Sequence, residues 1–423
     1  MNLKNSFNKA LTLSTKIIED YIFKCKHRKN PKDFSREKKL NFFNTIYFML
    51  NMVKKSLQVE LNDFFNNILK KDITISKQAF SEARKKIKPE AFIELNNNIS
   101  NLIYNECEDI ELWNGYRLCG IDGTVLEIPN TKILRNEFGV SKNQCEGVAR
   151  ARGTCIFDLL NKLVIESSID KYDVSERVSA KNMIARMNKY EKFKELIVFD
   201  RGYPSSEMIS FLYENKIDFL MRVKKDFSNK IKNAREKDQV ISINYQGKEF
   251  PVRVIRVMIS DDIEEILLTS LLDEKLNPED FKELYFIRWK VEIKYDELKN
   301  KLQIENFSGT SKEAIEQDFY ASIYLSNMIE LARKQSDEKI EKKQASKSLK
   351  YEYKTNLNVL IGKLKDDLVL MMLEKNKSKR NKMFNNIMEI VSKSAVPIRE
   401  NRQYSRKKYL KKSKYQLNKK RCL

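Results

Sequence analysis

The chain has 423 residues, enough for two or three domains, and carries 81 Lys and Arg against 59 Asp and Glu, a formal net charge of +22. A surplus of that size favours a polyanionic partner, nucleic acid before an anionic membrane surface. One histidine and six scattered cysteines with no C-x-x-C pair argue against a zinc ribbon, a disulfide framework, a Ser-His-Asp triad and a His-ligated zinc, so any chemistry falls to carboxylates.

No apolar run reaches transmembrane length, and the first residues lack the continuous apolar core of a secretory signal, so a cytoplasmic protein is expected. His27, inside the basic run Lys24 to Lys29, reads as a solvated polar residue. Residues 1 to about 110 are expected to be mainly helical, because apolar residues recur at helical spacing from Asn41 to Val53 and from Leu57 to Leu69. Ile73 to Ile87 has Ser76 as a candidate N-cap and ends in Arg84, Lys85 and Lys86. It reads equally as the recognition helix of a helix-turn-helix module or as a capped helix whose cationic last turn complements its dipole.

From Trp113 the pattern turns to strands. Tyr116 to Ile128 is rich in β-formers, and the runs ending at Asp158 and beginning at Leu163 suit a hairpin. A helix over Arg177–Tyr190, a strand Glu195–Phe199 running into Asp200, a helix Ser205–Asn215 and a strand Ile217–Val223 follow. Strands first as a meander and then alternating with helices is the order of the ribonuclease-H-like α/β fold. Residues about 224–272 interrupt it with the strands Gln239–Tyr245, Phe250–Val257 and Ile266–Leu272, read as a β-rich insertion whose last strand returns to the core sheet. Beyond Pro278 comes the stretch Tyr285 to Lys299, predicted as one helix. In it Tyr285, Arg288, Glu292 and Lys299 share a side, although i, i+4 charge pairs on an ordinary surface helix would give the same pattern. Residues 313 to about 335 and 357–392 are helical, Lys339 to Tyr353 is a charged helix or linker, and the tail from Pro397 interleaves cations with tyrosines, a composition that suits phosphate contacts without sequence reading.

Asp122, in Gly-Ile-Asp-Gly-Thr, and Asp200, in Val-Phe-Asp-Arg-Gly-Tyr, each end an apolar run, and Glu292 sits on the helix. Three carboxylates brought together repel one another unless a hard cation intervenes, and oxygen ligands with no His or Cys nearby suit Mg²⁺, with Mn²⁺ as a substitute. Two such ions suffice for in-line phosphoryl transfer at a phosphodiester. Arg288 and Lys299 would then hold a DNA strand by its phosphates, and Tyr285 would hydrogen-bond to one of them.

The spacing Tyr285-(2)-Arg288-(3)-Glu292-(6)-Lys299 resembles the Tyr-Arg-Glu-Lys signature of the IS-four family of insertion-sequence DDE transposases. The two Asp blocks, the flanking text Ile266–Asp273 and Leu284–Glu292, and the tail Val396–Arg399 with Arg402 and Arg406 are similar to that family too, over roughly residues 75 to 406. The resemblance implies a catalytic triad of Asp122, Asp200 and Glu292 on a ribonuclease-H-like core. It also implies cleavage of an element's inverted-repeat ends and their joining to target DNA, a dimer or larger assembly on paired ends, and a site of action in the bacterial cytoplasm or nucleoid. The organisation expected is a helical N-terminal domain for DNA-end binding (1–110), the catalytic core (111–335) with its insertion, and a helical, basic C-terminal region (336–423). One departure stands out. Some members hold a flipped base with a tryptophan in the β insertion, whereas the tryptophans here are Trp113 and Trp289, so no hairpin route or Trp clamp is inferred. Tyr245 and Phe250 are the insertion aromatics able to stack on a base, though core packing is the commoner use. The alternatives are a non-catalytic DNA-binding protein, such as a decayed transposase acting as repressor, and a related nuclease that never joins strands.

Overall fold

The computed structural model describes residues 1–36, 38–52, 54–141, 147–260, 263–345 and 348–399. These fall into two compact units. One comprises Met1–Ile87, Leu298–Gln303 and the residues from Met328 on; the other comprises Lys88–Glu297 and Ile304–Asn327. Among the described residues no helix is long and apolar enough to cross a membrane.

The first unit is helical, as its spacing predicts. Helices Phe7–Glu19, Phe42–Leu50 and Lys377–Lys393 bury aromatic faces, with Phe7 stacked on Phe384 at 4.3 Å and Phe48 edge-on to Phe80 at 4.7 Å. Ser76 caps the helix Lys77–Arg84, its hydroxyl accepting the Ala79 amide at 3.1 Å. His27 departs from the reading as a solvated residue: it is buried at 2% exposure against the Phe23 ring, because its helix Tyr21–His27 turns that face inward. Val396–Pro397 forms a two-residue ribbon with Tyr353–Lys354.

The second unit is mixed α/β around one large sheet. Its strands are β1 (Tyr116–Glu127), β2 (Val140–Ser141), β3 (Val148–Asp158), β4 (Val164–Lys171), β5 (Lys194–Phe199), β6 (Asp218–Val223), β7 (Asp238–Tyr245), β8 (Lys248–Ser260) and β9 (Ile263–Thr269). The order is β2-β3-β1-β5-β6-β9-β8-β7, with β4 on β3. The predicted hairpin is β3–β4. Asp158 closes it by accepting the Leu160 and Asn161 amides at 3.0 and 2.8 Å, while Lys162 takes the left-handed φ of 61°. The strands of the expected insertion continue the same sheet: β9 pairs antiparallel with β6 and carries β8 and β7 beyond it.

At the centre β1 and β5 run parallel, with Arg117 opposite Glu195 and Ile121 opposite Phe199, so Asp122 and Asp200 are the next residues on adjacent strands. Arg117, 0% exposed, donates to Glu195 through Nε at 2.9 Å and Nη2 at 2.7 Å, and packs over the rings of Tyr104, Tyr190 and Phe193. A charge left alone there has no route to water. Glu195→Gln is therefore expected to lower the unfolding free energy by about 3 kcal/mol in urea titration, and replacing both members of the pair by Met to recover most of that loss. A Glu195→Gln protein as stable as the wild type would show that the pair does not hold the register.

Candidate active site

The stretch predicted as one helix from Tyr285 to Lys299 is broken. Helix Pro278–Ile287 ends at Arg288, where the Arg288 and Trp289 amides bond three residues back, to Tyr285 and Phe286, instead of four. Helix Lys290–Asp296 then starts, and the π-helical turn Glu297–Lys301 follows it. A uniform 100° per residue is lost at both joints, so sequence offsets no longer give a shared face. Lys299 lies in the segment Leu298–Gln303, which belongs to the helical unit, whereas Tyr285, Arg288 and Glu292 belong to the sheet unit.

Gly120 explains how the second helix comes against β1. A Cβ at Gly120 would stand 2.5 Å from Val291 Cγ2, so only glycine allows that approach. Tyr295, one turn further on, donates its hydroxyl to the Asp122 carbonyl oxygen at 2.6 Å and pins the helix to the strand. Glu292, next to Val291, reaches Arg288 at 3.3 Å with its side chain 42% exposed.

The other acids arrive from the sheet. Asp122 Oδ1 accepts the Gly123 amide at 2.8 Å, and Asp200 Oδ1 accepts the Tyr285 hydroxyl at 3.2 Å. Burial pushes the Tyr285 hydroxyl up to about 12, and Asp200 adds to that shift. Arg288, only 3% exposed, lies over the Tyr285 and Trp289 rings, and its guanidinium is within electrostatic reach of Asp122, Asp200 and Glu292. Three carboxylates from three separate segments thus share one buried cation. Among the described residues no three Asp, Glu, His or Cys side chains are gathered tightly enough to hold an ion in this arrangement. The donor set itself is all oxygen, and Asp122 is largely out of water; both properties fit a hard divalent cation.

The remaining candidates are spread out. Arg84 is 3% exposed with its guanidinium against the Phe80 ring, because its place on the capped helix turns it inward. Lys85 is exposed and bridges Glu82 at 2.8 Å. Lys86 lines a cavity of about 790 Å³ with Lys32, Arg36, Lys38, Lys39 and Glu82. Arg399 is exposed beside the short ribbon. Arg402 and Arg406 lie outside the described residues. Of the insertion aromatics, Phe250 is buried against Tyr213 and Tyr245 is part-exposed. Four residues that the sequence did not single out as site residues also sit at the acids: Glu176, Arg152, Tyr203 and Tyr295. The glycines beside each acid, Gly123 and Gly202, were the available signal for Glu176.

Burial raises the Asp122 carboxyl to about 6, with Glu176 and Asp200 adding to the shift and the Gly123 amide and Arg288 opposing it. Asp122 therefore binds its proton more tightly folded than unfolded. The folded state loses stability as pH rises from about 4 to about 6, and above that the loss is complete. Metal-free Asp122→Asn and wild-type protein should unfold alike near pH 4, and the variant should be more stable by about 1–3 kcal/mol at neutral pH, read by denaturant titration. Parallel profiles across that range would contradict this account of the carboxyl.

Comparison with curated proteins gave no match. Among solved structures the chain is similar to piggyBac transposase in a cryo-EM synaptic complex with hairpin DNA, at 14% identity and a TM-score of 0.41 over 89% of this chain and 85% of that one. The transposase DDE domain family model matches residues 113–328, just over half of the chain, from three residues before β1 to within the long helix Lys312–Gln344. Transposases of this kind work with divalent metal ions and act on DNA. This chain belongs to the family of DDE transposases.

Proposed function

We propose that the chain is an insertion-sequence transposase of the IS-four type, which binds the inverted-repeat ends of its element, cleaves them and joins them to target DNA. The observation that supports this reading is that the Arg288 guanidinium, paired with Glu292 at 3.3 Å, is within electrostatic reach of Asp122 and Asp200. The order β4-β3-β1-β5-β6, with β3 antiparallel to β1 and β5 parallel to it, supports a ribonuclease-H-like core. Divalent ions bound by Asp122, Asp200 and Glu292, two Mg²⁺ or in substitution Mn²⁺, would activate the attacking hydroxyl and stabilise the leaving oxygen.

This chain's own side chains do the positioning. Tyr285 orients Asp200, Tyr295 fixes the Asp122 main chain, and Arg288 keeps the three acids facing one point where a scissile phosphate would meet its guanidinium. Lys299 contributes a further phosphate contact. Residues 1–110 serve end binding, with Lys85, Lys86 and the cationic cavity beside them as the contact surface and Arg84 bracing its helix from inside. Residues 111–335 carry catalysis, and 336–423, with Arg399, Arg402 and Arg406, add contacts to the DNA backbone. A homodimer would pair the two ends.

Strand cleavage on DNA carrying the element's own ends, with Mg²⁺, tests the assignment. Asp122→Ala, Asp200→Ala and Glu292→Ala should each reduce cleavage by about a thousandfold or more while end binding in a mobility-shift assay persists. Activity surviving any one of these removes the triad. End binding with no cleavage under any metal would identify a repressor-like protein, and cleavage without strand joining a nuclease.

A further inference from the structure

The acids at Arg288 are not the only carboxylates there. We propose that Glu176 is a fourth carboxylate of the site, a ligand for the same divalent ion that Asp122 would hold, with Arg152 as the residue that positions it. This rests on the reading of Asp122, Asp200 and Glu292 given above.

Glu176 opens the helix Glu176–Arg186 that follows β4. Its carboxylate lies against the two glycines that accompany the aspartates. A Cβ at Gly123, the residue after Asp122, would stand 3.2 Å from Oε1 and 3.3 Å from Cδ. A Cβ at Gly202, two residues after Asp200, would stand 3.8 Å from Oε2. Arg177, the next residue along the helix, donates Nε to the Gly202 carbonyl at 3.1 Å and holds the helix start beside the Asp200 turn. On β3, Arg152 donates Nη1 to Glu176 Oε1 and Nη2 to the Tyr172 carbonyl at 3.3 Å.

A glutamate at a helix start can simply complement the helix dipole and pair with an arginine. That role asks for no space beside Asp122 and Asp200, whereas the carboxylate occupies the space that Gly123 and Gly202 leave there, where a further negative charge adds to the repulsion among the acids. The second observation is Tyr203. It is 1% exposed, its hydroxyl has no hydrogen-bond partner among the described residues, and it is within electrostatic reach of Asp122, Glu176 and Asp200. A buried hydroxyl left unpaired is costly, an arrangement explained by a polar group that enters with the ligand.

The test is Mn²⁺ binding to the full chain without DNA, followed by the loss of the free-ion electron paramagnetic resonance signal, with thermal melting as a check on folding. Glu176→Gln should weaken binding by about tenfold or more, and Gly123→Ala, which keeps every charge but presses on the carboxylate, should weaken it in the same direction. Arg152→Met retains the ligand but releases it from its position, and should weaken binding measurably yet by less than Glu176→Gln does. Glu207→Gln, on the neighbouring helix, should change nothing. Unchanged binding in Glu176→Gln, with binding abolished in Asp122→Asn, would overturn the assignment of Glu176 and leave the triad intact. Equal losses in Glu176→Gln and Arg152→Met would reduce Glu176 to a structural ion pair. Full binding in Asp122→Asn would overturn the triad itself.

Discussion

The register between β1 and β5 is the constraint on which the site depends. Side chains alternate along a strand, so a slip of one residue would send Asp122 to the opposite face of the sheet while leaving every backbone hydrogen bond possible. Apolar residues alone discriminate poorly here, because both strands are buried on both faces and read as near-continuous hydrophobic runs. The buried Arg117–Glu195 pair supplies the missing discrimination: only one register puts the guanidinium opposite the carboxylate, and any other strands a charge in the core. Its contribution is specificity more than net stability, and the two aspartates five residues downstream inherit their alignment from it.

What was legible in the sequence followed from local chemistry. The strands, the β3–β4 hairpin and the capped helices are set by alternation, turn residues and side-chain caps, and each of these acts within a few residues. Asp122 and Asp200 stood out because a carboxylate ending an apolar run has little structural use, and Glu292 because of its spacing from Tyr285 and Arg288. The break at Arg288 was not legible, since nothing in Tyr285 to Lys299 resembles a helix breaker; on either side of it Tyr285 bonds to Asp200 and Tyr295 to the Asp122 carbonyl, tertiary contacts that no local pattern records. The burial of His27 and of Arg84 is hidden from the sequence for a related reason. A polar residue in a basic run looks solvated until tertiary packing decides which way its helix faces.

Arg288 shows how a cluster of acids can be kept in one place. Bringing carboxylates together costs free energy through both repulsion and desolvation, and Asp122 registers both in its raised affinity for a proton. A single guanidinium offers several donors in a rigid plane and stays charged at any relevant pH, so it can face three carboxylates at once where a lysine would face one or two. The Tyr285 and Trp289 rings lie 5.7 and 5.3 Å from it, close enough for their π faces to stabilise the buried cation.

The glycines tie these elements together. Gly120 admits the Val291 helix to β1, Gly123 leaves room for the Glu176 carboxylate, and Gly202 leaves room on its other side. None of these three takes a left-handed φ, so turn geometry does not account for them. They are absences of side chain at the points where other segments must come within contact distance of the strand ends that carry the aspartates. A motif of glycine around an acid therefore reports the neighbours of that acid as much as its own loop, and here it reports one on each side: the helix that brings Glu292 and the helix that brings Glu176.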